Sequence, residues 1–166
     1  MFDPISYVGF HTDLSLLALV VGIILTAALF RSRVPSALTA LYLATAVLTD
    51  ITGFGFPFTG FLPSHGVGLL SLLILALATA ALYAFALRGP WRWIYAASLT
   101  ASVFLLAFVA VAQSFLKVPA LHALAPTGSE PPFGAAEGVL LLLFAVAGFL
   151  ATRRFRPTLR TTAITT

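Results

Sequence analysis

Thr49-Asp50-Ile51-Thr52-Gly53-Phe54-Gly55-Phe56-Pro57-Phe58-Thr59-Gly60-Phe61-Leu62-Pro63-Ser64-His65-Gly66 is the stretch whose reading decides the fold. It opens with a carboxylate and closes with a histidine, each at the edge of a long apolar run. Between them stand Gly, Pro and Phe, residues that turn a chain at a membrane surface.

The composition around this stretch makes lipid the solvent. The chain has 166 residues, of which 60% are hydrophobic and only 8% charged. A soluble domain carries about 25% charged residues. A water-soluble fold of this size has too little interior to hide so much apolar surface. There is no cysteine, which removes disulfides, thiolate metal sites, iron–sulfur clusters and cysteine redox chemistry. The net charge of +4 is spread over short loops and the tail rather than along one stripe, so nucleic acid is not an expected partner. The segment Met1 to Gly9 has no basic residue, unlike a signal peptide, and the first apolar run reads as a retained span.

A bilayer core takes about 20 apolar residues in helix. Five runs meet this: Val8 to Phe30, Ser36 to Phe56, His65 to Leu87, Trp93 to Phe115 and, shortest, Gly134 to Thr152. The expected fold is an all-α integral membrane protein with five transmembrane helices, residues 1–156, followed by a basic tail, 157–166. Arg31 and Arg33, Arg88 and Arg92, and Arg153, Arg154, Arg156 and Arg160 fall on one side of a five-span chain, with Lys117 on the other. The positive-inside rule makes the arginine side cytoplasmic, the N-terminus outside and the C-terminus inside. A bacterial inner membrane is the expected location. Trp91, Trp93 and Tyr95 fit an interfacial belt at the inner edge of the fourth span. Phe54, Phe56, Phe58 and Phe61 read first as lipid-facing filler, with a hydrophobic cap as the other reading.

With this direction every Asp, Glu and His lies toward the outer side. His11 begins the first span, Asp50 lies late in the second, His65 starts the third, and Glu137 sits about one turn into the fifth. His122 and Glu130 lie in a Pro-rich connection, Lys117 to Phe133, with the length of a lid. A carboxylate within hydrocarbon costs a few kcal/mol and usually faces a bundle interior or cavity. Its bland alternative at Asp50 is a carboxyl bonded to Thr49, Thr52 or Thr59. At Glu137 the bland alternative is an acid favouring the helix dipole. The stripe His11, Ser15, Ala18, Gly22 and Thr26 is small and weakly polar, as helix interfaces in membranes are. Thr39, Ala46, Asp50 and Gly53 form a second such face, His65, Gly68, Leu72, Ala76 and Thr79 a third, and Ser98 and Ser102 a fourth. Gly134-x-x-x-Gly138 permits close packing on the fifth span.

These residues define a candidate site: His11, Asp50, His65 and Glu137, with His122 above them. Imidazole with carboxylate suits a divalent transition metal such as zinc, iron, manganese or copper. Haem between two histidines is second, and a quinone or proton site third. No Walker loop, Rossmann fingerprint or nucleophile elbow is present, and no catalytic residue is assigned. The competing class is a structural or assembly subunit of a larger membrane complex. In that case the polar residues only cap helices and grip a partner. The bilayer is the expected partner in both readings, with a homo-oligomer or a larger complex beyond it.

Overall fold

The computed structural model of the protein describes residues 6–56 and 63–157. Its elements are helices throughout: α1 (Tyr7–Leu29), α2 (Ser36–Gly53), α3 (Pro63–Thr79) continued by a π-helical turn (Ala80–Ala84), α4 (Trp91–Lys117), the short α5 (Pro119–His122) and α6 (Pro131–Arg154). Among the described residues five helices are long and apolar enough to cross a bilayer, which supports a multi-pass membrane protein. The fifth span is longer than its apolar run. Pro131 and Pro132 occupy the first helical positions of α6, where a missing N–H costs nothing.

α1, α2, α3 and α4 form a ring in which each helix packs on its neighbours in chain order, and α4 closes back on α1. α6 lies outside this ring against α4, with a minor contact to α1. Successive long helices alternate in direction. Arg31, Arg33, Arg88, Arg92, Arg153, Arg154 and Arg156 therefore share one end, and Lys117 lies at the other. The arginine end is knotted together by Ser32. Its Oγ donates to the Arg154 carbonyl at 3.2 Å and accepts from the Arg156 N–H at 2.9 Å.

The tight half of the bundle is the arginine half. Leu25, Leu29, Tyr42, Leu75, Tyr95, Leu99, Val103 and Phe155 are all buried there. Tyr95 is core rather than interfacial belt, because Phe155 folds back beside its ring at 5.7 Å. Trp91 stacks on Phe85 at 3.6 Å, and Trp93 stays exposed. The waist of the bundle is a single crossing. The fully buried Tyr42 hydroxyl meets Ser102 Oγ at 2.6 Å, and the ring lies against Gly22 of α1. Only a glycine fits there. A Cβ at position 22 would come within 2.7 Å of both the Tyr42 ring and Val103.

The small-residue stripes of α1 and α2 pack as the sequence predicts, with Ala18, Gly22, Thr26, Thr39 and Ala46 buried. Ser98 and Ser102 are buried on α4. α3 differs. Its buried stripe is Ser71, Leu75 and Ala78 rather than Leu72, Ala76 and Thr79. His65 is buried for a separate reason: Phe54 stacks over its ring at 5.7 Å. Within the chain Gly134-x-x-x-Gly138 packs against no described residue: a Cβ at either position would meet nothing within 4 Å, and the close approach on α6 is Gly148 to Thr100. α6 faces α4 through a line of aromatics, Phe133 on Phe115 and Phe144 on Phe104, which holds the N-terminal half of the helix too far out for glycine packing.

The connection after α4 is partly built. Val118 and Pro119 start α5, and the turn before α6 closes on Glu130. That carboxylate accepts from the Thr127 N–H at 3.0 Å, the Thr127 hydroxyl at 2.9 Å and the Ser129 N–H at 3.1 Å. Desolvation pushes the Glu130 carboxyl up, and these bonds outweigh it, leaving it below the ordinary glutamate range. Glu130 is therefore a turn-forming residue rather than part of a mouth.

The waist yields a stability prediction. Gly22→Ala should destabilise the protein in detergent by about 1–3 kcal/mol, the usual cost of overpacking. Gly148→Ala, whose Cβ would stand 3.5 Å from Thr100, should melt within a degree or two of the parent. Thermal melts of the two variants check the ordering.

Candidate functional site

Towards the Lys117 end the ring of helices does not close. A cavity of about 760 Å³ opens between α1, α2, α3 and α4. Its floor adjoins the waist, at Leu19 on α1 and Leu105 on α4. From Lys117 down to Leu105, at about 1.5 Å per residue, it follows α4 for roughly 18 Å. A site of a few hundred cubic ångströms, mostly apolar with a few convergent polar groups, is what small-molecule sites look like.

His11, Asp50 and His65 all line this cavity. Each arrives by its own local logic. α1 is capped by Ser6, whose Oγ accepts from the Gly9 N–H at 3.1 Å. That fixes the register that turns His11 toward α2. The Tyr7 hydroxyl donates to the Thr52 carbonyl at 2.5 Å and pins the start of α1 to the end of α2. His11 Nδ1 lies 2.8 Å from Thr52 Oγ1. The Thr52 proton is already committed to its own helix, since Oγ1 reaches the Leu48 carbonyl at 2.7 Å. The hydroxyl can then only accept from histidine. His11 is accordingly the Nδ1–H tautomer, and Nε2 keeps its lone pair. Phe56 meets the His11 ring edge-on at 5.1 Å.

Asp50 is half-buried on α2. Ser71 of α3 lines the cavity beside it, and Oδ2 is buried with no partner. The threonines offered by the sequence do not serve it. Thr49 donates to Thr45 O and Thr52 to Leu48 O, and Thr59 lies outside the described residues. A buried polar oxygen left unpaired costs about 1–3 kcal/mol, so Asp50 stands out among the residues around the cavity, although that oxygen itself is closed off from it.

Two predicted members stand elsewhere. Glu137 is on α6, behind α4, and does not line the cavity. Both its carboxylate oxygens are buried without a partner, in line with the aromatics that face α4. Because α6 begins at Pro131, Glu137 lies beyond the first turn, and the helix dipole does not account for it. His122 is exposed on α5 and also lies outside the cavity lining. Among the described residues no group of three or more His, Asp or Glu side chains is placed to hold a metal ion.

Other residues of the site were not singled out from the sequence. Ser71 carries no charge and no motif that marks it in the sequence. Phe54 and Phe56, expected first as lipid-facing filler, wall the cavity instead. Phe58 and Phe61 lie outside the described residues. Gln113 and Lys117 stand at the mouth on the last turns of α4, with Lys117 in electrostatic reach of His11. Comparison with known proteins found no matching family model, no matching curated protein and no matching solved structure.

The tautomer is directly measurable. In protein labelled with ¹⁵N at histidine, His11 should show a protonated Nδ1 and a pyridine-type Nε2 at neutral pH. Thr52→Val should abolish that preference. A protonated Nε2 in the parent would mean that Thr52 donates to the ring instead.

Proposed function

We propose that the protein is a membrane-embedded binding protein for a lipid-soluble molecule with a polar head, a redox cofactor of the quinone type foremost. The head lies among His11, Asp50 and His65, and the apolar part among the phenylalanine and leucine walls. The observation that carries this reading is a mostly apolar cavity of about 760 Å³ onto which His11, Asp50 and His65 converge. An organic ligand fills such a volume. A metal ion would need side chains drawn closer together than those described. By the arginine bias the site belongs to the outer leaflet of a bacterial inner membrane.

A second reading, a structural subunit of a larger complex, draws on α6. Of that helix only Ala151 is buried, and Leu142 and Leu143 are more than 60% exposed. Lipid covers such a face as readily as a partner helix would.

One experiment separates these readings. Protein extracted into nanodiscs without detergent should carry a hydrophobic molecule at near one per chain, found by solvent extraction and mass spectrometry. Ala110→Phe, which fills the cavity from α4, should lose it while keeping the parent's melting behaviour. Stoichiometric transition metal or a Soret band, lost in His65→Ala and Asp50→Asn, would move the assignment to metal or haem. No retained molecule, no metal and no loss of cellular function in Asp50→Asn would leave the structural subunit.

A further inference from the structure

The arginine end of the bundle holds a second recess, at the opposite end from the cavity described above. It has a volume of about 430 Å³ and is lined by Leu87, Arg88, Gly89, Arg92, Arg156 and Pro157. Its arginines reach it from two separate segments, the turn into α4 and the stretch that leaves α6. Each segment is held by its own contacts. In the turn, Phe85 stacks on Trp91 at 3.6 Å. The Arg88 N–H donates to the Phe85 carbonyl at 3.0 Å, and the Arg88 carbonyl accepts from the Trp91 N–H at 3.0 Å. Arg92 follows on the first turn of α4 and is half-buried. On the other side the Arg156 N–H donates to Ser32 Oγ at 2.9 Å, and the buried Phe155 anchors the backbone just before it.

No acid answers these charges. Asp13, Asp50, Glu130 and Glu137, the acidic residues among those described, all lie toward the Lys117 end. Like charges gathered without a counterion repel, and solvent and salt screen them only in part. Orienting the chain in a membrane asks only for positive charge somewhere at this end. Arg31, Arg33, Arg153 and Arg154 supply that without lining the recess, and Arg153 places its guanidinium over the Phe149 ring, 5.1 Å from the centroid. Topology therefore does not account for the convergence of Arg88, Arg92 and Arg156. A guanidinium fork matches phosphate oxygens bidentately. We infer that this recess binds a phosphate group, carried by an anionic phospholipid headgroup or by a soluble phosphate. The spans end at this level, where the headgroups of a bilayer stand and basic pockets between helices take up anionic lipid.

The test uses the full chain in a neutral detergent at constant ionic strength, with two probes: phosphatidylglycerol added in micelles, and inorganic phosphate exchanged against chloride. Binding is read as the rise in melting temperature with probe concentration. At least one probe should saturate. Arg88→Gln, Arg92→Gln and Arg156→Gln should each weaken it about tenfold, the loss of one charge-assisted contact. Arg31→Gln and Arg33→Gln remove the same charge at the same end. They should stay within about twofold of the parent, because charges that make no contact are largely screened. Arg88 is exposed, so its variant keeps the fold and carries the test even where the half-buried Arg92 variant melts early. Saturation by phosphatidylglycerol alone makes the ligand a lipid headgroup, and saturation by inorganic phosphate makes it a soluble phosphate. Saturation by neither probe overturns the inference. So does an equal loss in the Arg31 and Arg33 variants, which would make the arginines a diffuse positive surface.

Discussion

Everything above the waist depends on one crossing below it. Tyr42 wedges between α1 and α4, its hydroxyl tied to Ser102 and its ring against the bare backbone of Gly22. In lipid no hydrophobic force draws helices together, so close packing and buried hydrogen bonds must do it. The arginine half supplies both, with small residues on α1, α2 and α4 and the Ser32 knot to the end of α6. In the Lys117 half α1 is tied to α2 at Thr52, yet the four helices do not fill the space among them, and that space is the cavity.

The same division explains the placement of the polar residues. Threonines and serines inside the ring give their protons back to their own helices, a habit that costs little in a helix and hides the donor. What lines the cavity is a small polar set, His11, Asp50 and His65 with Gln113 and Lys117 at the mouth, and one Asp50 oxygen is buried without a partner. Glu137 presents the same chemistry, two buried and unpaired oxygens, but on the far side of α4, where the α6 aromatics meet the ring.

The spans were legible because hydropathy and charge act over about 20 residues, and no tertiary contact overrides them in a bilayer. The shared end of His11, Asp50 and His65 followed from direction alone. What the sequence concealed was rotation and rank. Helical periodicity marked Leu72, Ala76 and Thr79 on α3, yet Phe54 buries His65 independently of that stripe, and the packed line runs through Ser71 and Leu75. Gly134 and Gly138 carried the signature of close packing on a helix whose aromatics hold it away. No local pattern told which spans form the ring and which lies outside it, so Glu137 was grouped with residues that α4 separates from it. Ser71 carried no charge and no motif, and its role is visible only where α3 faces α2.

The account stands or falls on an open, occupied space above Tyr42. The most direct measurement is an experimental structure of the full chain in nanodiscs, with a rigid binder as fiducial and density traced between α1 and α4. Elongated density should fill the cavity, ending among His11, Asp50 and His65. Helices α1 and α4 packed together from Leu19 to His11, with Asp50 paired to another side chain, would contradict it.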